Sequence, residues 1–141
     1  MNIDFFKQTR ILDGGMGQEL LARGMKPSGT LWSATALLKK KYHKLLLDTH
    51  LDFIKAGAEV IVTTTFTTRK TRLRDNHIEN KFEYLNKSKT GNPNEFLGQR
   101  KDLTPYKMAK FAKKFKDAGA TILGGCCETR PQHIKEFSKL V

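Results

Sequence analysis

The sequence predicts an α/β fold built on a parallel sheet, and three observations carry that prediction. First, a helix, an Ala-Gly-Ala turn and an apolar strand occur in succession twice, at 52–65 and again at 114–127. Second, residues 60–65 read Val-Ile-Val-Thr-Thr-Thr, a β-branched run of the kind found in buried parallel strands. Third, Arg10-Ile11-Leu12 is a short apolar strand that runs into Asp13-Gly14-Gly15, where glycine permits a sharp change of direction. Helix-strand units repeated in this way imply a parallel sheet whose C-terminal strand ends form one functional rim.

Taken in order, the first strand is followed by a short helix over 16–23, with Gly24 as its C-cap. Ser33 is placed to cap a helix from Ala34, in which Leu37, Leu38, Tyr42, Leu45, Leu46, Thr49 and Phe53 keep a helical period up to Ala56-Gly57. The strand at 59–65 comes next. Residues 80–87 begin like an amphipathic helix and stop at Ser88-Lys89-Thr90-Gly91, after which nothing is periodic until Pro105 opens a helix over 106–117. The last strand, 121–126, ends in Gly124-Gly125-Cys126-Cys127, and Thr129-Arg130-Pro131 opens a closing helix through Ile134 and Phe137. In the register of the repeat, Cys126 and Cys127 match Thr64 and Thr65.

The chain has 141 residues, 38% hydrophobic and 28% charged, enough for one packed domain. No apolar run reaches the roughly 20 residues of a membrane-spanning helix, and 1–10 lacks the apolar stretch of a signal peptide. The only two cysteines are adjacent and cannot staple distant segments, so a secreted disulfide scaffold is excluded and a reducing cytoplasm is expected. Lys plus Arg number 26 against 14 acids, a net charge of +12, which raises a basic nucleic-acid-binding module as one reading. The basic residues are scattered and not interleaved with aromatics, which favours solvated helix faces over that reading.

Gly124-Gly125-Cys126-Cys127 carries the most chemistry. Neighbouring side chains of a regular strand point to opposite faces, so two adjacent thiolates share a metal only where the backbone departs from that geometry. The two glycines before them allow it. A helix N-terminus close behind favours anionic sulfur, and zinc suits thiolates. The alternatives are a buried pair of core cysteines and a strained vicinal disulfide.

The segment Gly124-Gly125-Cys126-Cys127-Glu128-Thr129-Arg130-Pro131-Gln132-His133-Ile134 resembles the C-terminal signature of the zinc-dependent homocysteine S-methyltransferases. Ile11-Leu12-Asp13-Gly14-Gly15-Met16-Gly17-Gln18-Glu19-Leu20, then Leu31-Trp32-Ser33-Ala34, then His50 and Ala58-Glu59-Val60-Ile61, then Thr63-Thr64-Thr65-Phe66, resemble the start of that family. Asn92-Pro93-Asn94-Glu95 is similar to a loop late in those proteins. The resemblance covers about 10–87 and 91–137.

It implies a (β/α)8 barrel, which takes about 250 residues. Here the equivalents of strands 1 and 2 are joined near 88–91 directly to the equivalent of strand 8, and strands 3 to 7 have no counterpart. The chain is thus expected to be a single truncated domain, with an N-terminal part at 1–87 and a C-terminal part at 92–141. Its barrel would be partial, with strands in the order 8-1-2 and open sheet edges that invite self-association. By resemblance, Cys126 and Cys127 are metal ligands for Zn2+, while the family's third cysteine is absent. Asp13 and Gly14 would contact the amino acid group of homocysteine, and Phe66 would line the donor pocket or pack in the core. Thr64 would meet substrate or, with Thr63 and Thr65, serve the strand. His43, His50, His77 and His133 are read as surface or packing residues.

The implied reaction transfers a methyl group from an onium donor, of betaine, dimethylsulfoniopropionate or S-methylmethionine type, to the zinc-held thiolate of homocysteine, giving methionine. The rival from another class is a non-catalytic zinc- or thiol-binding remnant.

Overall fold

The computed structural model describes residues 3–65, 67–82, 103–127 and 129–141. Phe66, Glu128, the expected join at 88–91 and the loop at 92–95 lie outside the described residues. The chain divides into two compact units. One comprises Met1–Gly15, His50–Val62 and Gly98–Val141, and the other Met16–Thr49 and Thr63–Leu97. The first unit therefore draws on both sides of the expected join.

The first unit holds the sheet. β1 (Arg10–Ile11) pairs in parallel with β2 (Ile122–Leu123), Arg10 opposite Ile122 and Ile11 opposite Leu123. Leu12 bridges to Val60, also in parallel. Arg10 and Leu12 donate to the Thr121 and Leu123 carbonyls at 2.8 and 2.7 Å, whereas Asp13 donates to Val60 O at 3.0 Å. Successive residues of a strand bond to opposite neighbours in this way, so the first strand lies in the middle, between 121–123 and Val60. The protein is therefore α/β with a small parallel sheet.

The strands are shorter than expected. The run at 59–65 pairs only at Val60, Val62 is exposed, and β2 ends at Leu123 rather than 126. A strand persists only where a neighbour answers its main-chain groups. Past Val60 none does among the described residues, and the Val62 N–H turns instead to the Asp13 carboxylate at 3.0 Å.

Both copies of the repeated turn take the same form. α3 (His43–Lys55) ends with Ala58 N donating to Phe53 O at 3.0 Å and Gly57 N to Ile54 O at 2.9 Å. α5 (Pro105–Asp117) ends with Ala120 N donating to Phe115 O at 2.9 Å and Gly119 N to Lys116 O at 2.8 Å. These are the paired bonds of a Schellman cap, which needs a left-handed residue. Gly57 and Gly119 supply it at φ 105° and 95°. The caps return the chain onto the sheet, burying Phe53, Ile11 and Leu123 with Ile134 and Phe137 of α6 (Pro131–Phe137). Each such side chain is worth roughly 1.5–3 kcal/mol when removed from water. The α5 helix starts as expected, with Pro105 in its first turn and Thr104 Oγ1 accepting from Lys107 N at 3.4 Å.

One side of this unit stays apolar and open. Met108, Phe111, Phe115, Ile122, Leu123 and Phe137 are among the residues lining a cavity of about 510 Å³, and Phe111, Phe115 and Ile122 are exposed.

The second unit is helical, with α1 (Met16–Ala22), α2 (Thr35–Leu38), the first half of α3, and α4 (Lys70–Asp75). Its core joins Leu31 and Leu73, with Leu37, Leu38, Ile78 and Phe82 against them. The single helix expected from Ala34 is broken here. Ser33 lies inside a 3-10 turn (Gly29–Ala34) and caps nothing, while Lys39 is extended at φ −102°, ψ 108°. Beyond the break the His43 ring meets Leu37 O at 3.0 Å. Among the described residues no helix is long and apolar enough to cross a membrane.

Candidate functional site

The site grows from the two glycine-rich segments that follow β1 and β2. Two main-chain bonds sew them together, Gly125 N to Asp13 O at 3.3 Å and Gly15 N to Thr129 O at 2.6 Å, and a third, Thr129 N to Cys126 O at 3.3 Å, turns the second segment back on itself. Glycine is required at the seam. A Cβ on Gly14 would run into the Thr129 carbonyl, and one on Gly125 into the Thr129 side chain. Residues 13–15 and 125–127 with Thr129 thus form one rim at the ends of adjacent parallel strands.

Asp13 is buried on that rim, 1% exposed. One carboxylate oxygen, Oδ2, accepts from Val62 N, while Oδ1 is buried without a hydrogen-bond partner among the described residues. Burial pushes the Asp13 carboxyl up to about 6, against the opposing pull of the Val62 N–H. An oxygen left this way is ready for a cationic donor such as an ammonium group, whose charge would hold the carboxylate ionised. Thr129 Oγ1 is likewise buried without a partner among the described residues. The sequence analysis placed Thr129 within the C-terminal signature and at the start of a helix but did not select it as a site residue. No spacing signal marks it, because its place follows from the fit against Gly14 and Gly125.

Cys126 and Cys127 are both exposed and not joined by a disulfide, with their sulfurs 3.8 Å apart. That exposure removes the buried-core alternative, and the separation removes the vicinal disulfide. A tetrahedron of Zn–S bonds about 2.3 Å long has edges of about 3.8 Å, so the two sulfurs fit two corners of a zinc site. Among the described residues no group of three or more His, Cys, Asp or Glu could hold a metal ion, so the remaining corners have no donor there.

Thr64 is buried and belongs to the second unit, with Thr63 and Thr65, whose hydroxyls meet at 3.2 Å. Phe66 lies outside the described residues. Two of the histidines read from the sequence as surface or packing residues have defined surroundings. His133 Nδ1 accepts from Arg130 N at 3.0 Å and Nε2 faces Leu103 O at 3.2 Å, which puts its proton on Nε2 and ties α6 to the segment before α5. His50 is half-buried, and burial lowers its pKa.

Residues 10–90 and 88–141 match the family described as homocysteine S-methyltransferase, in two segments that meet at 88–90. The chain is 33% identical over 78 residues to homocysteine S-methyltransferase 2 of Saccharomyces cerevisiae, an alignment covering 50% of this chain and 24% of that protein. It is 39% identical over 56 residues to homocysteine S-methyltransferase of Escherichia coli, covering 40% of this chain and 17% of that protein. To a selenocysteine methyltransferase of Astragalus bisulcatus it is 35% identical over 66 residues, 45% of this chain and 19% of that protein. The chain thus aligns with a quarter or less of the length of these relatives. No solved structure matches it significantly. With the family match running over nearly the whole sequence, the chain belongs to the homocysteine S-methyltransferase family.

Proposed function

We propose that this chain carries the substrate rim and thiolate pair of a homocysteine S-methyltransferase. It would serve methyl transfer from an onium donor, of betaine, dimethylsulfoniopropionate or S-methylmethionine type, to the sulfur of homocysteine to give methionine. The supporting observation is the hydrogen-bonded seam that joins Asp13, with its unpartnered carboxylate oxygen, to the loop bearing two exposed thiols 3.8 Å apart. Cys126 and Cys127 would hold Zn2+, which when bound stabilises a substrate thiolate at neutral pH. Asp13 Oδ1 would receive the ammonium of the amino acid, and Gly14 keeps the rim free of a side chain there. A cytoplasmic setting, which keeps thiols reduced, suits this pair.

The strand order, with the first strand between 121–123 and Val60, supports reading the sheet as the 8-1-2 arc of a barrel. The family match in two segments meeting at 88–90 supports a join there, with the middle strands left out. Methyl transfer needs the thiolate and donor held in line, and small misplacements cost large factors in rate. An open arc with two of the metal's corners filled is therefore expected to turn over little by itself. The absence of a third ligand among the described residues also favours a second reading, a thiol- or zinc-binding remnant without catalysis.

Methionine formation from homocysteine, with zinc and each donor type, separates these readings when run across a range of protein concentration. Low turnover that rises steeply with concentration and vanishes in Cys126→Ala supports the methyltransferase reading. Robust turnover at high dilution would overturn the expectation of low activity. Turnover equal to the protein-free control at every concentration would leave the remnant reading.

A further inference from the structure

α5 carries an apolar row that its own unit leaves bare. Met108, Phe111 and Phe115 recur at helical spacing, and with Ile122 of β2 and Phe137 of α6 they line the cavity of about 510 Å³. Phe111, Phe115 and Ile122 are exposed, so the cavity opens to solvent along the helix. One residue behind this row runs a second, Lys107, Lys110 and Lys114, all exposed. We infer that this face docks on an anionic lipid surface, with Phe111 and Phe115 entering the acyl boundary while the three lysines meet the headgroups. The inference goes beyond the substrate rim and does not depend on it.

Charge complementarity selects the occupant. Among the described residues Lys107, Lys110 and Lys114 pair with no acid. The one acid of α5, Asp117, is taken by Lys113 at 2.6 Å, and Lys116 donates to Leu140 O. Lys110 and Lys114 instead lie over the Tyr106 and Phe111 rings, 4.6 and 5.9 Å from their centroids. Their stems thus follow apolar surface while the charged ends can reach a phosphate beside it. Lysines along one side of a short helix and phenylalanines along the next are the pattern of a helix that lies in a membrane surface rather than crossing it. Every side chain lining the cavity is apolar, so none orients a peptide or a polar ligand by hydrogen bonds. A lipid surface asks only for apolar area and the opposite charge. A second copy of the chain would bring another +12 against the lysines, whereas an anionic leaflet attracts them. In the barrel arc proposed above β2 is the edge of the sheet, which leaves this face without a strand and helix beside it.

The test sediments the full chain with vesicles of phosphatidylcholine alone, or with about a quarter of phosphatidylserine, at low and high salt. The expected result is at least tenfold more partition into the anionic vesicles, falling as salt rises. The Phe111→Ser, Phe115→Ser variant and the Lys107→Gln, Lys110→Gln, Lys114→Gln variant should each partition at least tenfold less than the parent. Lys39→Gln, Lys40→Gln, Lys41→Gln removes the same charge from the other unit and should lower partition less than about threefold. Should a variant lose its helical circular dichroism, Phe115→Trp reports instead. Its emission in excess of the parent's should shift to the blue on anionic vesicles and be quenched by brominated acyl chains. Equal partition into both kinds of vesicle would overturn the inference, as would an equal loss from the two lysine variants, which would make the attraction diffuse. An unshifted Phe115→Trp emission on bound protein would overturn it by placing the contact elsewhere. No vesicle binding, with a helical Leu- and Glu-rich peptide held at Phe111 and Phe115 instead, would overturn it in favour of an acidic protein partner.

Discussion

The Thr129 carbonyl faces the main chain at Gly14 so closely that a Cβ there would strike it, while the next residue, Gly15, donates to it at 2.6 Å. The two strand ends meet at this point, and the rim depends on the absence of a side chain. Gly14→Ala should therefore push residues 13–15 away from Thr129 and destabilise the chain by about 1–3 kcal/mol, the usual cost of overpacking. Denaturant midpoints of the two proteins measure it. An unchanged midpoint would mean that the seam yields without cost.

Asp13 makes stability depend on pH in a defined direction. Its folded pKa, raised to about 6 from 3.8, means that the folded chain holds the proton more tightly than the unfolded chain. Its contribution is therefore fully present below pH 3.8 and is lost as pH rises through 6. Asp13→Asn keeps an acceptor for Val62 N and removes the buried charge. It should raise stability at pH 7–8, with a ceiling of about 3 kcal/mol at 1.36 kcal/mol per pKa unit, and raise it less at pH 4. Unfolding curves at the two pH values, with equal effects of the substitution at both, would contradict this.

Gly57 and Gly119 occupy equivalent caps but different surroundings. Nothing lies within 4 Å of a Cβ placed on Gly119, whereas one on Gly57 would come 2.5 Å from Ser138 Cβ. Gly119→Ala should cost about 1–2 kcal/mol, the left-handed backbone penalty alone. Gly57→Ala should cost more. The difference between their melting temperatures checks the ranking, and equal losses would refute it.

The exposed ring faces of Phe111 and Phe115, 52% and 63% exposed, border the apolar cavity of the first unit. Patches of this kind promote association. A Phe111→Ser, Phe115→Ser variant should show less concentration-dependent light scattering than the parent in the presence of chelator, which removes any metal-linked dimer. Identical scattering would place self-association elsewhere.

Much of this was legible in the sequence. The Ala-Gly-Ala turns at 56–58 and 118–120 announced two helix ends returning to parallel strands, because only a left-handed glycine closes such a cap. The cysteine pair and Asp13-Gly14 were singled out by resemblance to the family's motifs, and the structure brings the strand ends that carry them together through the Gly125 N to Asp13 O bond. Strand length was not, since 60–65 has the composition of a strand yet pairs only at Val60, and pairing depends on a neighbour that composition does not reveal. The break at Lys39 and the left-handed Trp32, φ 49°, were hidden for a similar reason. A Cβ on Gly17 would collide with the Trp32 indole, so that turn is held by a contact far along the chain.

The account stands on the claim that Asp13 and the cysteine pair form one substrate rim. Homocysteine binding to the zinc-loaded chain, followed by calorimetry at pH 5 and pH 7.5, tests it most directly. Binding should be saturable, and stronger at pH 7.5, where Asp13 is ionised. It should weaken at least tenfold in both Asp13→Asn and the Cys126→Ser, Cys127→Ser variant. Binding left unchanged by either variant would contradict the claim.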